Sequence, residues 1–301
     1  MRNKLVSEML AEGIGSFILV FFGTGAVAVA LLTGQEKGLW QVASVWGFAI
    51  ALAIYAVGSI SGAHLNPAVT LSMALFRRCC FPASKILPYV VAQMAGGVLA
   101  AAVLYGLFGG TCASFEAAHN LVRGAAGSQL SAMWFGEYFP NPAAYGTTAA
   151  AFAQVPVMTA FLAEALGTAF LLFFIMALTD DRNRLAPQNS NMHPLFIGFA
   201  VAIIISIVAP LTQAGLNPMR DFAPRIVAYL AGWGSIAIPG PRGCEIWVYI
   251  LAPLVGGVLG SGVYQVLVRS SRSDEDEAVA PFCCQDAVEG GSCGCEAEAV
   301  G

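Results

Sequence analysis

Long apolar stretches separated by short polar segments occupy most of the chain between residues 9 and 268. A helix needs ~20 residues to cross the hydrocarbon core of a bilayer, and six stretches reach about that length. They are 9–32, 39–59, 86–108, 157–178, 194–212 and 246–268. The pattern therefore predicts an all-α membrane protein with six transmembrane helices.

Two further apolar stretches, 66–76 and 217–231, are too short to span a bilayer. Each follows an irregular, Gly-containing segment. Irregular backbone at membrane depth is tolerated only where it lines water or is buried in protein. We therefore predict that both stretches are half-helices that re-enter the membrane.

The two halves of the chain carry the same landmarks in the same order. Leu-Ala-Glu ends at Glu12 and again at Glu164, and Gly-Phe-Ala begins at Gly47 and again at Gly198. A unit with three spans must insert its second copy upside down. The sequence therefore predicts two inverted three-helix repeats, about 5–108 and about 157–268, whose half-helices meet near the midplane.

The remaining segments complete the predicted domain organisation. Residues 1–270 form one membrane domain, in which residues 109–156 are an extracellular connection between the two repeats. Residues 271–301 form an acidic tail, rich in Ser and Gly, that is predicted to be disordered. Four tail cysteines could hold a soft metal or respond to oxidants, but they lack a histidine and the spacing of zinc ligands. We predict no metal site and no cofactor.

Composition and charge support a lipid environment. The chain is 57% hydrophobic and only 11% charged, far from the ~25% charged residues of a soluble domain. No basic surface suggests nucleic acid as a partner. Lys and Arg are concentrated at the termini and in the loops 77–85 and 180–193, which predicts a multi-pass plasma-membrane protein with both termini cytoplasmic.

Asn-Pro motifs open both predicted half-helices. Pro67 and Pro218 suit the first helical position, which places Asn66 and Asn217 at the N-caps. The two helix ends would then direct positive potential at one point and oppose cations and protons. A third motif, Asn141-Pro142-Ala143, has no repeat partner and no apolar helix after it, so we predict a turn there.

Few titratable side chains lie inside the predicted spans. Glu12 and Glu164 are costly in lipid unless paired, and we assign them to hold the irregular segments by accepting backbone N–H bonds. His64 is interpreted mainly as a packing residue, with a gating role as the alternative, and His193 as solvated. The spans contain no cluster of a nucleophile with a base and an orienting group. We therefore predict no catalytic residues and no enzyme activity.

Two segments give the chain a clear resemblance to a known family. Ser61 to Thr70 and Gly215 to Arg225 resemble the two signatures of the major intrinsic proteins, the aquaporins and glycerol facilitators. The resemblance implies an aquaporin-like fold, a homotetramer, and pore motifs formed by Asn66-Pro67-Ala68 and Asn217-Pro218-Met219. Met219 departs from the usual alanine. Asp221 directly after an arginine resembles the glycerol-conducting branch.

The family carries selectivity at four positions, which map here to Trp46, Ile205, Ala214 and Arg220. Arg220 would offer a fork of donors to two hydroxyls, and Trp46 an apolar wall for a carbon backbone. Glycerol facilitators usually have glycine and phenylalanine at the middle two positions, and this chain departs from them with Ile205 and Ala214, which widens the range of solutes. The resemblance therefore implies a passive channel for glycerol first, then urea, water, small undissociated acids or metalloid hydroxides.

Two alternatives remain open on the sequence. A water-selective aquaporin is the nearest alternative to a glycerol channel. An ion-coupled secondary transporter also uses inverted repeats and broken helices, but it needs buried ionisable groups for coupling. Beyond Glu12 and Glu164 the predicted spans offer none.

Overall fold

The computed structural model describes residues 4–36, 38–187 and 190–271 of the chain. These residues contain helices and no strands. Six helices are long and apolar enough to cross a membrane, and in each half one short α-helix follows the second span. The helices are α1 Lys4–Thr33, α2 Leu39–Ser61, α3 Pro67–Phe76, α4 Ile86–Ala118, α5 Gln129–Ala132, α6 Pro142–Tyr145, α7 Ala149–Gln154, α8 Val157–Leu178, α9 His193–Thr212, α10 Pro218–Ala228 and α11 Glu245–Val263.

The prediction of six spans and two half-helices is confirmed, with corrections at the helix ends. α4 continues ten residues past the predicted end at 108, because a fall in hydropathy marks the edge of the lipid and not the end of a helix. The second half-helix, predicted to reach 231, is α-helical only to Ala228 and continues as a π-helix, Tyr229–Trp233. Another π-helix, Tyr264–Arg269, extends α11.

Some predictions fall outside the described part of the chain. The acidic tail from residue 272 onward, with its four cysteines, lies there, as do Arg2 and Lys37. An even number of spans places the start of α1 and the end of the last helix on one side of the membrane. We call this side the terminal face and the side that carries the 119–156 connection the loop face.

Helix packing follows the inverted repeat. α1 packs on α2 and α4, α8 packs on α9 and α11, and α2 crosses α9 at the centre. Each half-helix packs on the third span of the other repeat, α3 on α11 and α10 on α4. Gly47 and Gly198 lie at the central crossing, where a Cβ on either one would overlap the carbonyl oxygen of the other. Both crossing positions therefore require glycine.

Both repeats end their second span with the same left-handed turn. α2 stops at Gly62, whose φ is 83°, and α9 stops at Gln213, whose φ is 63°. Glycine takes this conformation without strain, whereas glutamine does not. The Gln213 side chain explains the exception, because its Oε1 accepts from Tyr138 N at 2.9 Å and its Nε2 donates to Met133 O at 3.0 Å.

The 119–156 connection folds back onto the protein. Its central part is buried and includes Trp134, Phe135, Tyr138 and Phe139. Large apolar side chains on the spans remain exposed, such as Leu87 at 71% and Ile207 at 74%. Apolar side chains on the outside, together with glutamates buried inside such as Glu12 and Glu164, are unlike a soluble protein and are expected for a membrane protein.

Candidate functional site

A cavity of about 630 Å³ extends between the two repeats. At the terminal face its lining includes the segments 77–80 and 180–181. Deeper in the protein it contacts Asn66 and Asn217, the N-cap residues of the two half-helices, and it also contacts Trp46 and Arg220. The cavity therefore connects one membrane face to the point where the repeats meet.

Both asparagines cap their half-helices in the same way. Asn66 Oδ1 accepts from Ala68 N at 2.8 Å, and Asn217 Oδ1 accepts from Met219 N at 3.0 Å. Pro67 and Pro218 take the first helical position, where the missing N–H costs nothing. The two positive helix ends thus meet in the cavity wall.

The two caps are also bound to each other's loop. Asn66 Nδ2 donates to Leu216 O at 3.0 Å, and Asn217 Nδ2 donates to Leu65 O at 2.8 Å. Each amide has two hydrogens, and this cross-link uses one of them. The second hydrogen of each amide can be donated to a molecule in the cavity.

Met219, which departs from the alanine of the first motif, is fully buried and does not line the cavity. A Cβ at Gly97 of α4 would lie 2.8 Å from Met219 Sδ, whereas the equivalent Gly257 of α11 faces the smaller Ala68. Gly97 thus makes room for the longer side chain. The departure changes the packing of α10 on α4 and leaves the cavity open.

Glu12 and Glu164 each bind the irregular segment that precedes a half-helix. Glu12 accepts from His64 N at 2.9 Å and from Leu65 N at 2.8 Å. Glu164 accepts from Gly215 N at 2.9 Å and from Leu216 N at 2.7 Å. The leucines have φ of 52° and 55°, so these carboxylates hold backbone that would otherwise relax.

The four positions mapped from the family all line the cavity. Trp46, Ile205, Ala214 and Arg220 are each buried. The Arg220 guanidinium carbon lies 4.2 Å from the centre of the Trp46 ring, a cation–π contact that fixes both side chains. The cavity here has one apolar wall and one fork of hydrogen-bond donors.

Gly23 of α1 makes space for the Trp46 ring. A Cβ at Gly23 would overlap three carbons of the indole. Gly25, two residues further along the helix, has only an ordinary contact at 3.4 Å with Leu104. Gly23 thus determines how far Trp46 projects toward the cavity, and no sequence signal pointed to it.

Asp221 forms a buried ion pair with Arg225 one helical turn later, with Nε 2.9 Å from each carboxylate oxygen. Asp221 Oδ1 also accepts from Glu137 N at 2.7 Å, and Arg225 Nη2 donates to Glu137 O. The pair therefore connects the half-helix to the 119–156 connection. Asp221 does not line the cavity, so it acts through the residue that it holds.

Two other residues considered from the sequence, His64 and His193, also line the cavity. His64 is half-buried, with its ring centre 4.5 Å from that of Phe81. His193, expected to be solvated, is half-buried with Nε2 3.0 Å from Pro187 O. Asn141 caps the single helical turn α6. In residues 4–36, 38–187 and 190–271, no three His, Cys, Asp or Glu side chains are placed to hold a metal ion.

Comparisons with known proteins agree with this geometry. The model of the family described as "Major intrinsic protein" matches residues 1–264. A glycerol uptake facilitator protein from Pseudomonas aeruginosa is 43% identical over 266 residues, which cover 88% of this chain and 90% of the relative. The propanediol uptake facilitator PduF of Citrobacter freundii is 38% identical over 285 residues, covering 92% and 100%.

A solved structure supports the fold. The X-ray structure of the aquaglyceroporin from Plasmodium falciparum superimposes with a TM-score of 0.74, covering 88% of this chain and 97% of that one, at 24% sequence identity. At this identity the likeness concerns the fold alone.

Proposed function

The chain belongs to the major intrinsic protein family, and from that premise we infer that its cavity is the pore of a passive channel for glycerol and other small uncharged solutes. It is a membrane protein and not an enzyme. The observation that carries this function is the continuous lining from the terminal face, past Asn66 and Asn217, to Trp46 and Arg220.

We propose that the pore residues act in two groups. Asn66 and Asn217 donate their free amide hydrogens to a solute hydroxyl at the midplane, while the two helix ends oppose cations and protons. Trp46, Ile205, Ala214 and Arg220 form the selectivity filter, in which the arginine binds hydroxyls and the indole contacts carbon. Glu12, Glu164 and Asp221 position these groups.

Short polyols are the proposed solutes because the filter combines apolar and polar walls. Glycerol comes first, and propanediol second, since the relatives include uptake facilitators for glycerol and for propanediol. A propanediol has one hydroxyl fewer than glycerol, and its additional apolar surface suits Trp46 and Ile205. Urea and water are smaller and follow, with small undissociated acids and metalloid hydroxides after them.

Stopped-flow light scattering on proteoliposomes tests this function. Purified protein should admit glycerol and 1,2-propanediol well above protein-free vesicles, and sorbitol should remain excluded. A gradient of impermeant sugar measures water in the same vesicles. Water flux without any glycerol flux would instead identify a water-selective aquaporin, and uptake that needs a proton or sodium gradient would identify a coupled transporter.

The position of Trp46 gives a second prediction. Gly23→Ala should displace the indole toward the pore and reduce glycerol permeability because the ring narrows the aperture, and the overpacking should lower stability by about 1–3 kcal/mol. Gly25→Ala on the same helix is the matched control and should conduct normally. Equal glycerol permeability in both variants would show that Trp46 does not limit the aperture.

Assembly and orientation are proposed on the same family membership. The protein should be a homotetramer with one pore per subunit, which the mass of the detergent-solubilised protein by light scattering tests. Basic residues on the terminal face, among them Arg77, Arg78 and Lys85, support cytoplasmic termini in the plasma membrane. Protease access to either terminus in sealed cells and inverted vesicles tests this orientation.

A further inference from the structure

Gln213 occupies the left-handed turn that ends α9, directly before a pore-lining residue. In the other repeat the equivalent turn has Gly62, which lines the cavity itself. The Gln213 side chain is buried and does not line the cavity. Ala214, the next residue, also has a positive φ, 62°, and it lines the cavity at one of the proposed filter positions. Backbone that is costly for both residues is therefore retained beside the filter.

The Gln213 side chain binds both ends of residues 133–138 of the connection, which we call the brace segment. Its Oε1 accepts from Tyr138 N at 2.9 Å, and its Nε2 donates to Met133 O at 3.0 Å. Gln213, Met133 and Tyr138 are all buried. Loss of this side chain would therefore leave one backbone donor and one backbone acceptor unpaired in the protein interior.

The brace segment is also bound to α10, the second half-helix. Glu137 N donates to Asp221 Oδ1 at 2.7 Å, and its carbonyl accepts from Arg225 Nη2. The Glu137 side chain contacts Arg220 Nη1. The segment thus has three contacts with the element that supplies the arginine of the proposed filter.

These attachments lie on two different walls of the proposed filter. Ile205 belongs to α9 and Ala214 follows the end of that helix, whereas Arg220 belongs to α10. The brace segment is fixed to the α9 wall by Gln213 and to the α10 wall by the contacts of Glu137. It therefore joins the two walls outside the pore.

Resting on the proposed function, we infer that Gln213 is a positioning residue of the filter, which fixes the separation of the α9 and α10 walls and so limits the size of the polyol that passes. Gly62 has no side chain that could make such bonds, so its turn is not braced in this way. A site keeps its geometry only when the residues that support it are themselves held in place.

A role in stability alone predicts a different outcome. If Gln213 only fastened the connection to the protein, its loss would lower the melting temperature and leave the ratio of xylitol to glycerol permeability unchanged. If Gln213 positions the filter, this ratio should change in protein that is still folded and still conducts glycerol. The permeability ratio therefore separates the two roles.

Two substitutions of Gln213 provide the test, with permeabilities measured by stopped-flow swelling of proteoliposomes. Gln213→Met keeps the length of the side chain and removes both hydrogen bonds, so the ratio of xylitol to glycerol permeability should rise above that of wild type. Gln213→Gly should raise it as well, and glycine also relieves the left-handed backbone. Asn141 still ties the connection to α9 through Ala209 O at 2.9 Å, so both variants should fold.

Gln129→Met is the matched control. Gln129 is another buried glutamine of the connection, whose Oε1 accepts from Gly127 N at 3.0 Å and whose Nε2 donates to Thr147 O at 3.4 Å. Both of its bonds stay within the connection and reach neither wall of the filter. The permeability ratio of this variant should equal that of wild type.

Wild-type glycerol flux is measured first, because its absence would reject the proposed function and this inference with it. With wild-type flux present, a permeability ratio at or below the wild-type value in folded Gln213→Met and Gln213→Gly would overturn the role of Gln213 alone. If neither variant folds, Gln213 is a structural residue, and the inference is overturned as well. A ratio that rises equally in Gln129→Met would also overturn it.

Discussion

Replacing Arg220 with alanine should abolish solute selectivity and weaken the fold together. The change removes the donor fork and opens the filter, so xylitol permeability should rise about tenfold or more. It also leaves Glu137 buried without its partner, and breaking a buried ion pair typically costs about 3–5 kcal/mol. Stopped-flow swelling in xylitol and thermal melting in detergent measure the two effects.

The control for this substitution is Arg123→Ala, which removes a second arginine from the loop face. Arg123 also stacks on an indole, that of Trp233, and pairs with a glutamate, Glu116, but it does not line the pore. It should destabilise the protein without admitting xylitol. If Arg220→Ala and wild type exclude xylitol equally, Arg220 does not belong to the filter.

A double variant separates the lost charge from the lost bulk. Arg220→Ala with Glu137→Ala removes both members of the buried pair, so neither charge is left uncompensated. Its melting temperature should recover relative to Arg220→Ala alone. Xylitol permeability should remain high because the aperture stays wide.

Glu164→Ala should have the largest effect on folding. Glu164 accepts from Thr212 Oγ1 at 2.5 Å as well as from Gly215 N and Leu216 N. The substitution leaves two backbone N–H groups without a partner inside the membrane, each costing about 1–3 kcal/mol. We expect little folded protein by size-exclusion chromatography, and no solute flux.

The folded yield and solute flux of Glu164→Gln should lie between those of wild type and of Glu164→Ala. Its single amide oxygen can still accept a hydrogen bond from one of the two backbone N–H groups. Glu8→Ala is the matched control. Glu8 is also a buried glutamate of a spanning helix, but it pairs with Lys85 at the terminal face and binds no pore loop. A Glu164→Ala channel that melts and conducts as wild type does would contradict a loop-holding role.

The architecture could be predicted from sequence because its signals are repeated. Hydropathy marks spans of membrane length, and the recurrence of Leu-Ala-Glu and Asn-Pro across both halves requires an inverted repeat. The lack of a repeat partner also distinguished the Asn141 motif from the pore motifs at Asn66 and Asn217. All three cap a helix in the same local way, yet the helix after Asn141 has only four residues.

The proposed filter was only partly predictable from the sequence, for a physical reason. Trp46, Ile205, Ala214 and Arg220 lie on elements that the repeat defines, so the family resemblance could place them. Glu137, the buried partner of Arg220, lies in a connection with no periodicity. Asp221, which binds its backbone N–H, is 84 residues away in the sequence. Contacts of this range arise from tertiary folding and leave no local signal in the chain.

The same limit applies to Gly23 and Gln213. Glycines are frequent in the spans, and only the packed structure distinguishes Gly23, which faces an indole, from Gly25, which does not. Gln213 takes a left-handed conformation that its equivalent, Gly62, adopts freely. Its side chain binds the 119–156 connection, which the repeat does not contain, so symmetry alone does not account for a glutamine at this position.

The reciprocal bonds between Asn66 and Leu216 O, and between Asn217 and Leu65 O, have a consequence for energetics. A carrier separates its two halves in every transport cycle, and an ion gradient can drive that movement. Here reciprocal hydrogen bonds join the two halves where the half-helices meet. A channel whose halves stay joined during transport has no separation step to couple to a gradient, so the solute's own concentration difference sets the direction of net flow.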